Sequence, residues 1–159
     1  IQSITDELLA PGKIHAYLKA GFAAEVTGAM IDTLIDRGTR VGSRLSVIEV
    51  LALGGAIRDV PSDATAFPHR DARWLINIAG QWHEPGATDD EIAWVRGTFA
   101  ALKPHLSGGA YSNFMEEDDA EAATVAYGST LDRLQLIKAV YDPDNVFRLN
   151  QNIEPARHD

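Results

Sequence analysis

The chain has 159 residues, 45% of them hydrophobic, and its 23 acidic side chains outweigh 14 Lys and Arg for a formal charge of -9. That length and apolar content suit one domain with a core, and the acidic balance argues against a nucleic-acid binder and against docking on an anionic membrane. The absence of cysteine removes disulfides, thiolate catalysis and Cys-ligated metals. No apolar run is long enough to span a bilayer and the first residues do not form a signal peptide, so a cytoplasmic location is expected. The chain opens on Ile1 without an initiator Met and is expected to begin within something larger.

After the Pro11-Gly12 turn, IHAYL (14–18) reads as a short strand. AAEVTGAMIDTLIDRG reads as a helix, because Val26, Met30, Ile31, Leu34 and Ile35 fall on one face, with Gly38 placed to end it in a left-handed cap. SVIEVLAL (46–53), bounded by Gly54-Gly55, and RWLINIAGQW (73–82) read as strands. Thr88 with Glu91 has capping-box spacing, and the helix expected after it carries Ile92, Val95, Phe99 and Leu102 as its apolar stripe before Pro104. AYSNF (110–114) is expected to be a short strand, and the acidic EEDDAEAA run a solvated loop or a first helical turn. Ser129 or Thr130 can cap a last helix with Leu131, Leu134, Ile137 and Val140 inward, stopped at Asp142-Pro143. The fold class is α+β, an antiparallel β-sheet with helices packed on one face.

Generic catalytic motifs are missing. The five histidines do not pair at metal-ligand spacing, the acidic run lacks the turn glycines of a calcium loop, and there is no Gly-x-Ser-x-Gly elbow or phosphate-binding glycine loop. Trp74, Trp82 and Trp94 are expected in the core, and Tyr17 and Tyr127 in packing roles. Lys138 and Arg148 are expected to pair with Asp142 or Asp144.

The end of the chain carries more information. YDPDNVFRLNQNI, preceded by AYSNF and YGSTLDRL, resembles the end of berberine-bridge-enzyme-like flavoproteins of the vanillyl-alcohol-oxidase superfamily. The words that carry the likeness run in order. They are Tyr111-x-Asn113, Tyr127-Gly128, Arg133-Leu134, Lys138, Tyr141-Asp142-Pro143, Asn145-Val146-Phe147-Arg148 and Asn150-Gln151, with LGGAI, Phe67-Pro68-His69-Arg70 and Trp82 upstream. Thr130 stands where the family often has Asn. The resemblance implies that residues 1–106 are part of a substrate-binding domain and that 107–159 form the segment returning to the flavin. It implies an N-terminal FAD-binding domain that is absent from this chain, supplied by a longer chain or by a second one.

The resemblance also implies roles. Asn113, Asn150 and Gln151 are expected near the isoalloxazine ring, whose pyrimidine edge alternates acceptors with a donor, as a neutral carboxamide can match. If AYSNF is extended, Tyr111 shares a face with Asn113, and Tyr111 is the candidate base for the substrate hydroxyl. A free phenol titrates at about 10, so a base role requires hydrogen bonds or positive charge that favour the phenolate. Asn77 corresponds to a substrate-facing position of relatives, with Leu75 on the same strand face, and His69 is either an active-site wall or a clamp on the next strand. The implied chemistry is FAD-dependent oxidation of an alcohol, sugar or secondary metabolite, with reoxidation by O2. The rival expectation is a non-catalytic partner or remnant on the same scaffold. Either way the Tyr111 face is expected to meet another chain, an FAD-binding domain or a second copy.

Overall fold

The computed structural model describes residues 12–115 and 122–157. Three strands, β1 (His15–Ala23), β2 (Val47–Ala52) and β3 (Trp74–Trp82), form an antiparallel sheet in the order β1-β3-β2. The class is α+β, as expected, and β1 runs five residues beyond IHAYL because its pairing with β3 continues to Ala23↔Trp74. β3 lies in the middle and reads almost continuously apolar, as a strand covered on both faces must; Leu75 through Gly80 are all buried.

Strand alternation divides the core in two. Tyr17 and Ala23 on β1 and Ile76, Ile78 and Trp82 on β3 point to one face. There they meet Met30 of α1 (Gly28–Gly38) and Val95 and Leu102 of α2 (Thr88–Leu102). Full burial of each such aliphatic side chain contributes about 1.5–3 kcal/mol. A Cβ on Gly80 would lie 2.7 Å from a Val95 methyl, so glycine there lets α2 ride close on the sheet. The Trp94 indole N–H donates to the Arg37 carbonyl at 3.2 Å and ties the two helices together. On the opposite face Ala20, Phe22 and Leu75 pack under Leu53, Phe67, Ala72, Tyr111 and Phe114.

Several local expectations are corrected. Gly38 stays helical, and α1 closes on Thr39, whose N–H reaches the Ile35 carbonyl at 3.0 Å. No capping box forms at α2. The Thr88 hydroxyl donates to the Pro85 carbonyl and accepts from the Trp82 indole, while Glu91 is buried and takes the Ser46 hydroxyl at 2.7 Å. A tertiary partner outcompetes the local cap. AYSNF is not a strand: Ser112–Phe114 form a 3-10 turn.

The last two helices are α3 (Ala122–Tyr127) and α4 (Leu131–Tyr141). Thr130 precedes α4 without a side-chain cap, its hydroxyl lying against the Ala66 and Tyr127 carbonyls instead. α4 buries no residue. Ile137 is 44% and Val140 73% exposed rather than inward, because no second layer lies along that side of the helix among the described residues. Most of the acidic run, 116–121, lies outside the described residues. Among the described residues no helix is long and apolar enough to cross a membrane.

Candidate active site

The segment carrying Tyr111 is set by two glycines and a histidine. Gly108 and Gly109 both adopt positive φ, +87° and +74°, and turn the chain back over β1. Before them, the Ser107 N–H and hydroxyl both donate to the Phe22 carbonyl, at 2.8 and 3.0 Å. The His69 ring lies beneath the turn, stacked on Phe22 at 4.4 Å. A Cβ on Gly109 would come within 2.4 Å of that ring, so only glycine fits both the angle and the space. The protonated His69 Nε2 donates to the Ala126 carbonyl at 3.0 Å and joins α3 to the same knot. Burial pushes the imidazole pKa below its usual value against the pull of backbone carbonyls. His69 thus ties β1, α3 and the Tyr111 segment together, from outside the ring of residues around the cavity described next.

Tyr111 follows. Its ring meets Phe67 and Phe114 edge-on at 6.2 and 5.3 Å. Asn113 donates its amide N–H to the phenol oxygen at 3.0 Å. A shared strand face was expected for these two side chains; instead a 3-10 turn brings them into contact with each other. Tyr111 lines a cavity of about 410 Å3 together with Phe22, Leu53, Ile57, Phe67, Leu75 and Arg70. Arg70 is held by three bonds, to the Phe67 and Ile57 carbonyls and the Thr65 hydroxyl, and its guanidinium covers the Phe67 ring at 4.9 Å.

Asn77 stands two residues from Leu75 on the same face of β3, opposite Ala20 on β1 and Glu49 on β2. It is 3% exposed, and its amide N–H donates to Glu49 Oε2 at 2.7 Å. Glu49 is a polar side chain that reading along the sequence passed over. The signal was present: one acid in VIEVLA, two positions from Val47 and two from Leu51.

The terminal amides sit apart from this cavity. Asn150 is exposed at φ +58°, and Gln151 donates to the Met115 carbonyl at 3.3 Å. The turn before them is built on Asp142, which pairs with Lys138 and accepts the N–H groups of Val146 and Phe147. Those contacts, Lys138 foremost, hold the Asp142 carboxyl below the usual carboxylate range. Lys138 therefore has the ion-pair role expected of it. Among the described residues no cluster of His, Asp and Glu is arranged to hold a metal ion.

The berberine and berberine-like family matches residues 110–154, the stretch from the Tyr111 turn to the terminal amides. The FAD-linked oxidoreductase YgaK of Bacillus subtilis is 36% identical over 106 residues, covering 67% of this chain and 23% of its own. The FAD-linked oxidoreductase sorD of Penicillium rubens is 34% identical over 122 residues, covering 74% of this chain and 26% of its own. A glycopeptide hexose oxidase solved with teicoplanin superimposes with a TM-score of 0.79 at 28% identity, over 88% of this chain and 32% of that one. BBE-like 28 from Arabidopsis thaliana shares the fold with a TM-score of 0.81 at 22% identity, over 91% of this chain and 34% of that one. The chain spans about a quarter of the length of the curated relatives it matches. Over that part length, residues 110–154 carry the berberine-like family domain, and the chain's homologues are FAD-linked oxidoreductases and berberine-bridge-enzyme-like proteins.

Proposed function

We propose that this chain is the substrate side of an FAD-dependent oxidoreductase that oxidises the C–OH group of a sugar, alcohol or secondary metabolite, with reoxidation by O2. The observation that carries the reading is the Asn113–Tyr111 bond at the edge of an otherwise largely apolar cavity. An amide N–H aimed at the phenol oxygen supports negative charge there and leaves the phenol hydrogen for another acceptor. To act as base Tyr111 must first give up its own phenol hydrogen to that acceptor, and the phenolate oxygen then takes the substrate hydroxyl proton. Phe22, Phe67, Leu53 and Leu75 exclude water around it, and Arg70 adds a fixed positive charge to the wall. FAD, when bound, supplies the two-electron acceptor for the hydride that leaves the same carbon.

The residues fit one edge of that cofactor. Asn150 presents an exposed amide, Gln151 keeps its carbonyl after donating to Met115, and Asn113, whose amide N–H goes to Tyr111, has on its carbonyl a long 3.5 Å bond from the Ser112 hydroxyl and a second lone pair. Amides of this kind suit the pyrimidine edge, so these three are assigned to it, and most of the cofactor is assigned to an FAD-binding domain outside residues 1–159. That domain, on the same chain or another, is assigned the apolar surface of α4 and the tail. There Val140, Tyr141, Val146, Phe147 and Leu149 are each at least 70% exposed, and contiguous apolar surface of this kind marks an interface.

The test is Tyr111→Phe in the full-length, FAD-loaded protein, read by anaerobic flavin reduction with neutral sugars and simple alcohols. Loss of a general base slows reduction by about 10²–10⁴. An unchanged reduction rate would remove Tyr111 from the mechanism.

A further inference from the structure

We infer that Glu49 is the residue that selects the substrate, accepting hydrogen bonds from a neutral, hydroxyl-rich ligand such as a sugar, and that Asn77 is its positioning residue. The inference rests on the oxidative reading of the Tyr111 cavity. Its starting point is an exposed carboxylate held by a buried amide across the β2–β3 pair, Asn77 Nδ2 to Glu49 Oε2 at 2.7 Å.

The pair is not explained by stability. Asn77 sits in the middle of the central strand among Leu75, Ile76, Ile78 and Ala79, all buried. Its carbonyl oxygen is also buried and has no hydrogen-bond partner. A buried carbonyl without a donor is destabilising, and an apolar side chain of similar size would remove the cost. What the amide accomplishes in return is to fix Glu49, which would otherwise sample many rotamers on an edge strand. Side chains held in this way against a stability cost are characteristic of binding sites.

Position and chemistry define the ligand. Asn77 and Leu75 share a face two residues apart, about 7 Å along a strand. Leu75 is a wall of the cavity that holds Tyr111. Glu49 and Asn77 lie outside the ring of residues around that cavity, two register positions along the sheet from Leu75, so a polyol that extends from Tyr111 past Leu75 would meet the carboxylate with another hydroxyl. An ionised carboxylate only accepts. With one oxygen taken by Asn77, it offers the rest of its lone pairs to O–H donors, and the reaction already requires that the substrate carry at least one hydroxyl. Neighbouring Leu51 and Val47 leave the sugar's C–H face an apolar surface to lie on.

The experiment uses the full-length, FAD-loaded protein and its Glu49→Gln, Glu49→Leu and Asn77→Leu variants. Binding of glucose and cellobiose is measured by saturation-transfer NMR, and anaerobic flavin reduction separately. Benzyl alcohol serves as the single-hydroxyl probe and glucosamine at pH 7 as the ammonium probe. Glu49→Leu is expected to weaken neutral-sugar binding by roughly 10- to 100-fold, the effect of losing a hydrogen bond to a charged group. The limiting reduction rate should stay within about threefold and benzyl alcohol should be unaffected, which separates binding from chemistry. Glu49→Gln should recover part of the loss, and Asn77→Leu should weaken sugar binding while raising thermal stability. Equal sugar binding by wild type and Glu49→Leu overturns the inference. So does the absence of sugar binding by wild type, or a stronger Glu49-dependent preference for glucosamine. Glu49-dependent sugar binding without any flavin reduction would sink the oxidative reading and leave the recognition pair standing.

Discussion

The sheet and α2 differ from α4 and the tail in how they treat apolar side chains. In the first region Ile76, Ile78, Val95 and Leu102 are at most 1% exposed. In the second, α4 has no buried residue, and Phe147 and Leu149 are more than 80% exposed. Composition does not explain this, since LDRLQLIKAVY is as rich in aliphatics as many core helices. The difference is in what each region packs against. The sheet and α2 close a core from within the chain, whereas α4 presents its apolar residues outward.

The comparison breaks most visibly under truncation. Ile78→Ala should destabilise the protein by about 2–5 kcal/mol, the range for removing a buried aliphatic side chain. Val140→Ser, on the exposed side, should change the stability of the isolated chain by less than about 0.5 kcal/mol. The same Val140→Ser change in the full-length protein should weaken flavin retention. Equal losses of melting temperature at the two sites in the isolated chain would show that α4 is part of the core after all.

Between the two regions lies the knot that holds Tyr111. Gly109→Ala meets both a left-handed φ and the His69 ring, and should cost about 1–3 kcal/mol. Because the strain falls beside Tyr111, the variant should also lower flavin reduction more than its stability loss explains. A fully active Gly109→Ala would mean the turn tolerates displacement.

His69 provides a pH test with a defined sign. Its folded pKa lies below the ordinary imidazole value of 6.5, chiefly through burial. The neutral ring is favoured in the folded state, so no penalty exists above that value. As pH falls below it, the unfolded chain takes up a proton that the folded chain resists, and stability declines. Melting temperature should fall between neutral pH and pH 5 in wild type, and fall less in His69→Gln. Parallel curves for the two proteins would remove His69 as the cause.

The smallest effect concerns the turn at Asp142. Lys138→Met removes the first cause of its low pKa, while the Val146 and Phe147 N–H groups remain. A carbon-detected NMR titration of the Asp142 carboxyl should show its midpoint rising toward the ordinary carboxylate value. An unmoved midpoint would assign the shift to the backbone donors alone.

The sequence by itself determined much of this protein. Binary pattern placed three strands and the three longer helices, because apolar period follows directly from strand and helix geometry. The ordered words from Tyr111 to Gln151 carried the family resemblance and singled out Tyr111 and Asn113, two residues apart. What remained was decided by contacts between residues distant in the chain. Glu91 left its capping role for Ser46, forty-five positions away. Asn113 reached Tyr111 through a turn that depends on His69 lying under Gly109. Glu49 found Asn77 only through strand register. The outward face of α4 was invisible for the same reason, since an apolar stripe states what a helix will bury and not which surface will bury it.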